Sequence, residues 1–134
     1  MSNKIGVMQG RLLPKFKGRY QAHPVGYWQE EFFLAADLDL DMIEFILDFN
    51  DVEHNPLLTD LGQKEIGEIS QSSRVMVKTI CADYFMEAPL HSSDTKVSKK
   101  STKMMEKLID IAYKIEITDI VLPCVDQSSL KTVD

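Results

Sequence analysis

The nine residues RVMVKTICA, Arg74–Ala82, decide the fold. They form a short apolar run rich in β-branched side chains, which reads as a buried strand. Upstream, Asn55, Pro56 and Thr59 lead into a helix expected from about Asp60 to Ser72, with a thin apolar stripe of Leu61, Ile66 and Ile69. Downstream, after a polar loop, a longer helix is expected from about Asp94 to Ile115, with Met104, Leu108, Ile111, Ala112 and Ile115 on one face. A strand with a helix on either side is the middle of a βαβ array.

Working outward, DIVLP (Asp119–Pro123), DMIEFIL (Asp41–Leu47) and KIGVM (Lys4–Met8) supply three more strands. YWQEEFFLAADL (27–38) places Trp28, Phe32, Ala35 and Ala36 at helical spacing, which makes a third helix. Strands separated by helices of this length imply right-handed crossovers and a parallel sheet. Continuous runs such as IVL suit strands covered on both faces. The expectation is an α/β domain spanning 1–134, with about four strands and three helices.

Two architectures satisfy that order: a small doubly wound sheet, or the first half of a TIM (β/α)8 barrel. The connections leaving the strands are long, at Gln9–Gly26, Asp48–Thr59 and Asp83–Ser93, and those leaving the helices are short. Such asymmetry suits a barrel whose site lies at the carboxyl face, although a doubly wound fold can share it. The last residues, TDIVLPCVDQSSLKTVD (118–134), read as a strand, its loop, and Ser128 or Ser129 as the cap of a further helix. Such an ending suits a fragment or half of something larger. Both architectures stay open at this point, and for the barrel it would mean truncation after the fourth strand.

Fifteen basic against twenty-one acidic residues give a net charge of -6, without the positive surplus that nucleic-acid binding draws on. Lys96, Lys99, Lys100, Lys103 and Lys107 cluster on the long helix and read as its solvated face. MSNKIGVMQGRL at the amino terminus contains no long apolar core, so neither a secretory signal nor a membrane span is expected and the cytoplasm is the default. Cys81 and Cys124 show no metal-type spacing and read as reduced thiols. His23, His54 and His91 fall in separate loops without ligand spacing, so no metal site is expected from them.

The segments KIGVMQGRL (4–12), Trp28 with EEFFLAADLDLDMIEFILD (30–48), NPLLTDLG (55–62), TICADYFMEAPLH (79–91) and ITDIVLPCVDQSSL (117–130) carry a resemblance. Together they are similar, in order and spacing, to the sugar phosphate isomerase/epimerase proteins of the xylose isomerase-like TIM-barrel superfamily. The resemblance covers only the first half of such barrels. It implies a divalent metal such as Mn or Mg in the complete barrel, held by Glu, Asp, His and Glu on later strands. Two of those glutamates would serve as acid and base. No position of this chain matches them, so no catalytic residue, metal ligand or cofactor is carried over.

The resemblance leaves loop-end residues that would line a sugar pocket: Gln9, with its neighbours Met8 and Gly10, then Arg11, Glu44, Cys81, Asp83, Cys124, with Pro123, and Asp126. Arg11 suits a phosphate or carboxylate clamp, or else pins a loop. Glu44, inside MIEFIL, needs either a polar cavity or an ion pair with Arg11 or Lys78. Asp83 and Asp126 suit sugar hydroxyls, or else bond their own turns. Cys81 and Cys124 read first as small buried hydrophobes.

The helix-to-strand turns DLDLDM, SQSSRV and YKIEITD contain no glycine, so Asp39, Ser72 or Ser73, and Glu116 are expected in left-handed geometry. A half barrel also leaves two strand edges and an inner sheet face open. A homodimer, or a missing carboxyl-terminal half, is the expected partner, with no nucleic acid and no membrane. The functional expectation is the amino-terminal half of an isomerase/epimerase-like barrel, inactive alone. The alternatives are a non-catalytic sugar-binding or assembly module and, less well matched by the acidic charge, a metal-dependent nuclease.

Overall fold

Each of the four apolar runs forms a strand shorter than the run itself in the computed structural model, which describes residues 2–130. The strands are β1 (Gly6–Met8), β2 (Met42–Ile46), β3 (Met76–Cys81) and β4 (Asp119–Val121). All neighbours are parallel and the spatial order is β1-β2-β3-β4. A doubly wound sheet reverses its order at a switch point; this sheet grows in one direction, as four consecutive units of a (β/α)8 barrel do. Right-handed crossovers in a sheet that grows one way put every crossover helix on the same face.

The helices are α1 (Glu30–Asp37), α2 (Asp60–Ser73), α3 (Tyr84–Glu87) and α4 (Thr95–Lys114). Phe32 of α1, Ile66 of α2, and Leu108 and Ile111 of α4 pack with Ile43, Phe45 and Ile80 of the sheet in one core. Opposite Met42–Glu44 of β2, strand β3 carries an extra residue between Met76 and Thr79. This bulge lets Val77 and Ile80, three positions apart, both reach the core. The other face of the sheet carries Met8, Met42, Glu44 and Thr79, which line an open groove of about 290 Å³.

Capping sets the helix starts. Thr59 Oγ1 accepts the Gly62 N–H at 3.1 Å ahead of α2, and Asp94 Oδ1 accepts the Lys96 N–H at 2.9 Å ahead of α4. Three expectations are corrected. Trp28 lies before α1, although it is buried in the core. Leu61 is 78% exposed, because α2 buries Gly62, Gln63 and Ile66 instead. The helices number four among the described residues, not three, since Tyr84 and Phe85 are buried in the one-turn α3, which is too short to show a period of 3.6.

At the helix ends Asp39 (φ 56°) and Glu116 (φ 60°) are left-handed, as the turns predict. The middle turn uses Arg74 (φ 62°) rather than a serine. Ser73 stays in α2, where its hydroxyl donates to the Ile69 carbonyl at 2.7 Å and accepts the Val75 N–H at 3.2 Å. Ser128 caps no following α-helix within the described residues. It ends the 3-10 turn Asp126–Ser128, and its Oγ accepts the Val125 N–H at 3.1 Å. No helix among the described residues is long and apolar enough to cross a membrane.

Candidate functional site

Loops from the carboxyl ends of β1, β2 and β3 enclose a cavity of about 200 Å³, whose walls include Arg19, Gln21, Asp48, Phe49, Asp83 and Glu87. That is smaller than the roughly 300–1,000 Å³ of sites for drug-sized ligands, so it suits a small molecule.

Arg19 is delivered by a two-residue hairpin. Phe16 and Arg19 exchange backbone hydrogen bonds at 2.9 and 3.0 Å, around Lys17 and Gly18, which both have positive φ. Paired positive φ values are the geometry that lets two residues reverse a strand pair. Lys17 Nζ then binds Asp51 Oδ2 at 2.6 Å, tying the hairpin to the loop after β2. Arg19 Nη2 sits 3.6 Å from Asp48 Oδ2.

Asp48 closes the apolar run of β2 and is only 5% exposed. Its Oδ2 accepts the His23 N–H at 2.8 Å. Burial raises its pKa above the ordinary carboxylate value, against the lowering effects of that N–H and of Arg19.

Asp83 takes hydrogen bonds on both oxygens, from Gln21 Nε2 at 3.1 Å and from the Cys81 thiol at 3.2 Å. Gln21 Oε1 in turn accepts from Arg11 Nη2 at 3.2 Å. Arg11, Gln21, Asp83 and Cys81 thus form one chain of polar contacts along the site. Burial first, then the Asp83 charge, pushes the Cys81 thiol far above its usual pKa, so it is a protonated donor and not a nucleophile.

Beneath this layer Gln9 is fully buried. Its Oε1 accepts the Ile46 N–H at 3.0 Å and lies 3.2 Å from His23 Nδ1. Because that oxygen is held as an acceptor, His23 carries its proton on Nδ1. Burial lowers the His23 pKa from 6.5 to about 4, so the ring is neutral at pH 7. It packs 5.4 Å from Phe45 and 6.2 Å from Trp28. Gln9 Nε2 and His23 Nε2 are enclosed without hydrogen-bond partners.

The loop after β1 is held by Glu31, a fully buried carboxylate. It accepts the Gly10 N–H at 2.7 and 2.9 Å and the Leu12 N–H at 3.0 Å. Burial raises the Glu31 pKa, while the N–H groups of Gly10, Leu12 and Arg11 lower it. Gly10 has φ 91°, and a Cβ there would run into the Tyr20 carbonyl oxygen. Only glycine fits.

Of the residues expected to line a sugar pocket, Asp83 lines the cavity, and Arg11 and Cys81 reach it through Gln21 and Asp83. Gln9 lies under it. Glu44 is elsewhere: it faces the open groove, with no ion pair to Arg11 or Lys78, and Lys78 approaches Glu116 instead. Cys124 is exposed rather than buried, because β4 ends at Val121 and the loop turns outward. Asp126 is exposed in its own 3-10 turn. Neither lines the cavity.

Arg19, Gln21, Asp48 and Glu31 were not among the expected site residues. Glu31 had a signal, since it falls at i+3 from Trp28 and four before Ala35, inside the apolar stripe. Asp48 ends the β2 run much as Asp83 ends that of β3. Arg19 and Gln21 sit in a polar loop without periodicity.

The divalent metal implied by the family resemblance finds no fit. Among the described residues no group of three or more His, Cys, Asp or Glu side chains is placed to hold a metal ion. No family model matches the chain, and no curated protein matches it.

Proposed function

We propose that this chain is a sugar-binding unit, the amino-terminal half of an isomerase/epimerase-like (β/α) barrel. The complete form would move a proton between adjacent carbons of a keto-sugar or its phosphate. The observation that carries the reading is the convergence of Arg19, Gln21, Asp48 and Asp83 on one small cavity at the carboxyl ends of a sheet built in barrel order. Paired carboxylates, an amide and a guanidinium are the groups that bind vicinal hydroxyls. Glu87 adds a third carboxylate to the walls, against a single arginine that Asp48 already engages. The lining therefore favours the neutral keto-sugar over its phosphate.

No acid–base pair for the proton transfer is assigned to this chain, and it does not turn over substrate alone. Its partner is a second copy or a carboxyl-terminal half pairing at the open edges of β1 and β4. Exposed Val121 and Leu122 at β4 support that contact. Two unpaired cysteines support a cytoplasmic setting.

A second reading is a binding module without chemistry, favoured by the lack of a metal-ligand cluster among the described residues. Calorimetric titration with pentoses, hexoses and their ketoses, with and without EDTA, tests both. Millimolar or tighter binding supports the sugar site that both readings share, and indifference to EDTA is expected of both, since neither places a metal in this chain. Failure of every sugar to bind would contradict both readings.

A further inference from the structure

A cavity of about 320 Å³ opens between α2 and the end of α4, over the start of β3, and shares no wall residue with the polar cavity. Its floor is apolar, with Ile66, Val77, Ile115 and Ile117. On the α2 side, Gln63, Gly67 and Ser70 follow one another at four and three residues and so share one flank of the helix. Gln63 is 8% exposed, and its Nε2 donates to the Leu57 carbonyl at 2.8 Å. That bond fixes the orientation of the amide and leaves Oε1, which is enclosed without a hydrogen-bond partner. Ser70 Oγ is enclosed without a partner as well. Buried polar atoms are ordinarily paired, and one left alone costs stability; here two belong to the wall of one cavity. Between them lies a mid-helix glycine, which weakens a helix relative to alanine. No close contact demands it, because a Cβ on Gly67 would meet nothing within 4 Å. The rim lysines are already engaged, Lys78 with the Glu116 carbonyl at 3.1 Å and Lys114 with Asp60 at 2.5 Å, so neither offers a free charge.

We propose that this cavity is a second ligand site, for a neutral molecule with an apolar body and a hydroxyl or N–H group at either end. One end donates to Gln63 Oε1. The other bonds Ser70 Oγ, two helical turns and about 10 Å further along the axis of α2. The body lies across Gly67 on Ile66, Ile115 and Ile117. The site sits in the helix layer, and binding there does not depend on the sugar reading of the polar cavity.

Amide NMR titrations with 1,6-hexanediol and 1,4-benzenedimethanol, each beside its dimethyl ether, test this. At least one diol is expected to shift the amides of Gln63, Gly67, Ser70 and Ile117 saturably. Its ether, which keeps the body and loses the donors, should bind ten-fold or more weakly. Gly67→Leu, which fills the cavity from a position where a side chain has room, should abolish these shifts without lowering the urea midpoint. Ser70→Ala should weaken the diol several-fold while raising the urea midpoint of the free protein, since it removes a stranded hydroxyl. A serine with a purely structural role would instead lower the midpoint on replacement and leave diol affinity unchanged. Equal binding of diol and ether, shifts that survive Gly67→Leu, or silence from both diols would overturn the site.

Discussion

Glu31 is a charged residue doing the work of a loop anchor. Replacing it by alanine strands the N–H groups of Gly10 and Leu12 in a buried setting, at about 1–3 kcal/mol for each. Glu31→Ala should therefore lose about 3 kcal/mol of stability, and Glu31→Gln, which keeps one acceptor oxygen, less than half of that. Urea denaturation of the two variants checks the order. His23 sets the acid response. The unfolded ring takes up a proton below 6.5 and the native ring only near 4, so stability is lost as pH falls through that window. The shift of about 2.5 units corresponds to about 3 kcal/mol lost by the acid end. Glu31 and Asp48 act in the opposite sense, because their raised pKa values let the native state gain protons first. His23→Asn keeps a donor toward Gln9, and its urea midpoints from pH 7 to 4 should fall less than those of the unaltered protein. Parallel curves would contradict the assignment. Glu31 left a trace in the sequence, a carboxylate inside the apolar stripe of Trp28, Phe32 and Ala35, whereas His23 sits in a loop without periodicity, where a lone His looks the same on a surface as in a core.

At the scale of elements, the strands were legible as short continuous apolar runs and α4 by a stripe of helical period that buries Leu108, Ile111 and Ala112. RVMVKTICA and the α4 stripe fell where expected, the strand shortened at both ends. What escaped was set by contacts distant in sequence. The bulge in β3, the one-turn α3 and the 16–19 hairpin carry too few residues for a period to register. The helix-end turns were legible in kind, since no glycine occupies them, but the register of the middle turn depended on Ser73 bonding back into α2. Arg74 is exposed and left-handed, so Arg74→Gly should stabilise the chain by about 1 kcal/mol. Thermal or urea unfolding reads this directly, and a loss of stability would mean that the arginine makes a contact of greater value than its backbone strain.

For the whole molecule, sheet order separates a barrel segment from a doubly wound domain, and sequence alone could not supply it because both alternate strand and helix. Sequential order leaves β1 and β4 as outer strands, with Glu44 and Thr79 lining an open groove that no helix among the described residues lines. Light scattering coupled to size exclusion is expected to give twice the chain mass at micromolar concentration. Val121→Lys, at the exposed β4 edge, should shift that mass toward the monomer. The measurement closest to the proposed function is an amide NMR titration with the sugar that binds best in calorimetry. Shifts concentrated at Arg19, Gln21, Asp48 and Asp83, and abolished by Asp83→Ala, are expected. Saturable shifts that instead map to the Glu44 groove, or that survive Asp83→Ala unchanged, would contradict a sugar site at the carboxyl end of this sheet.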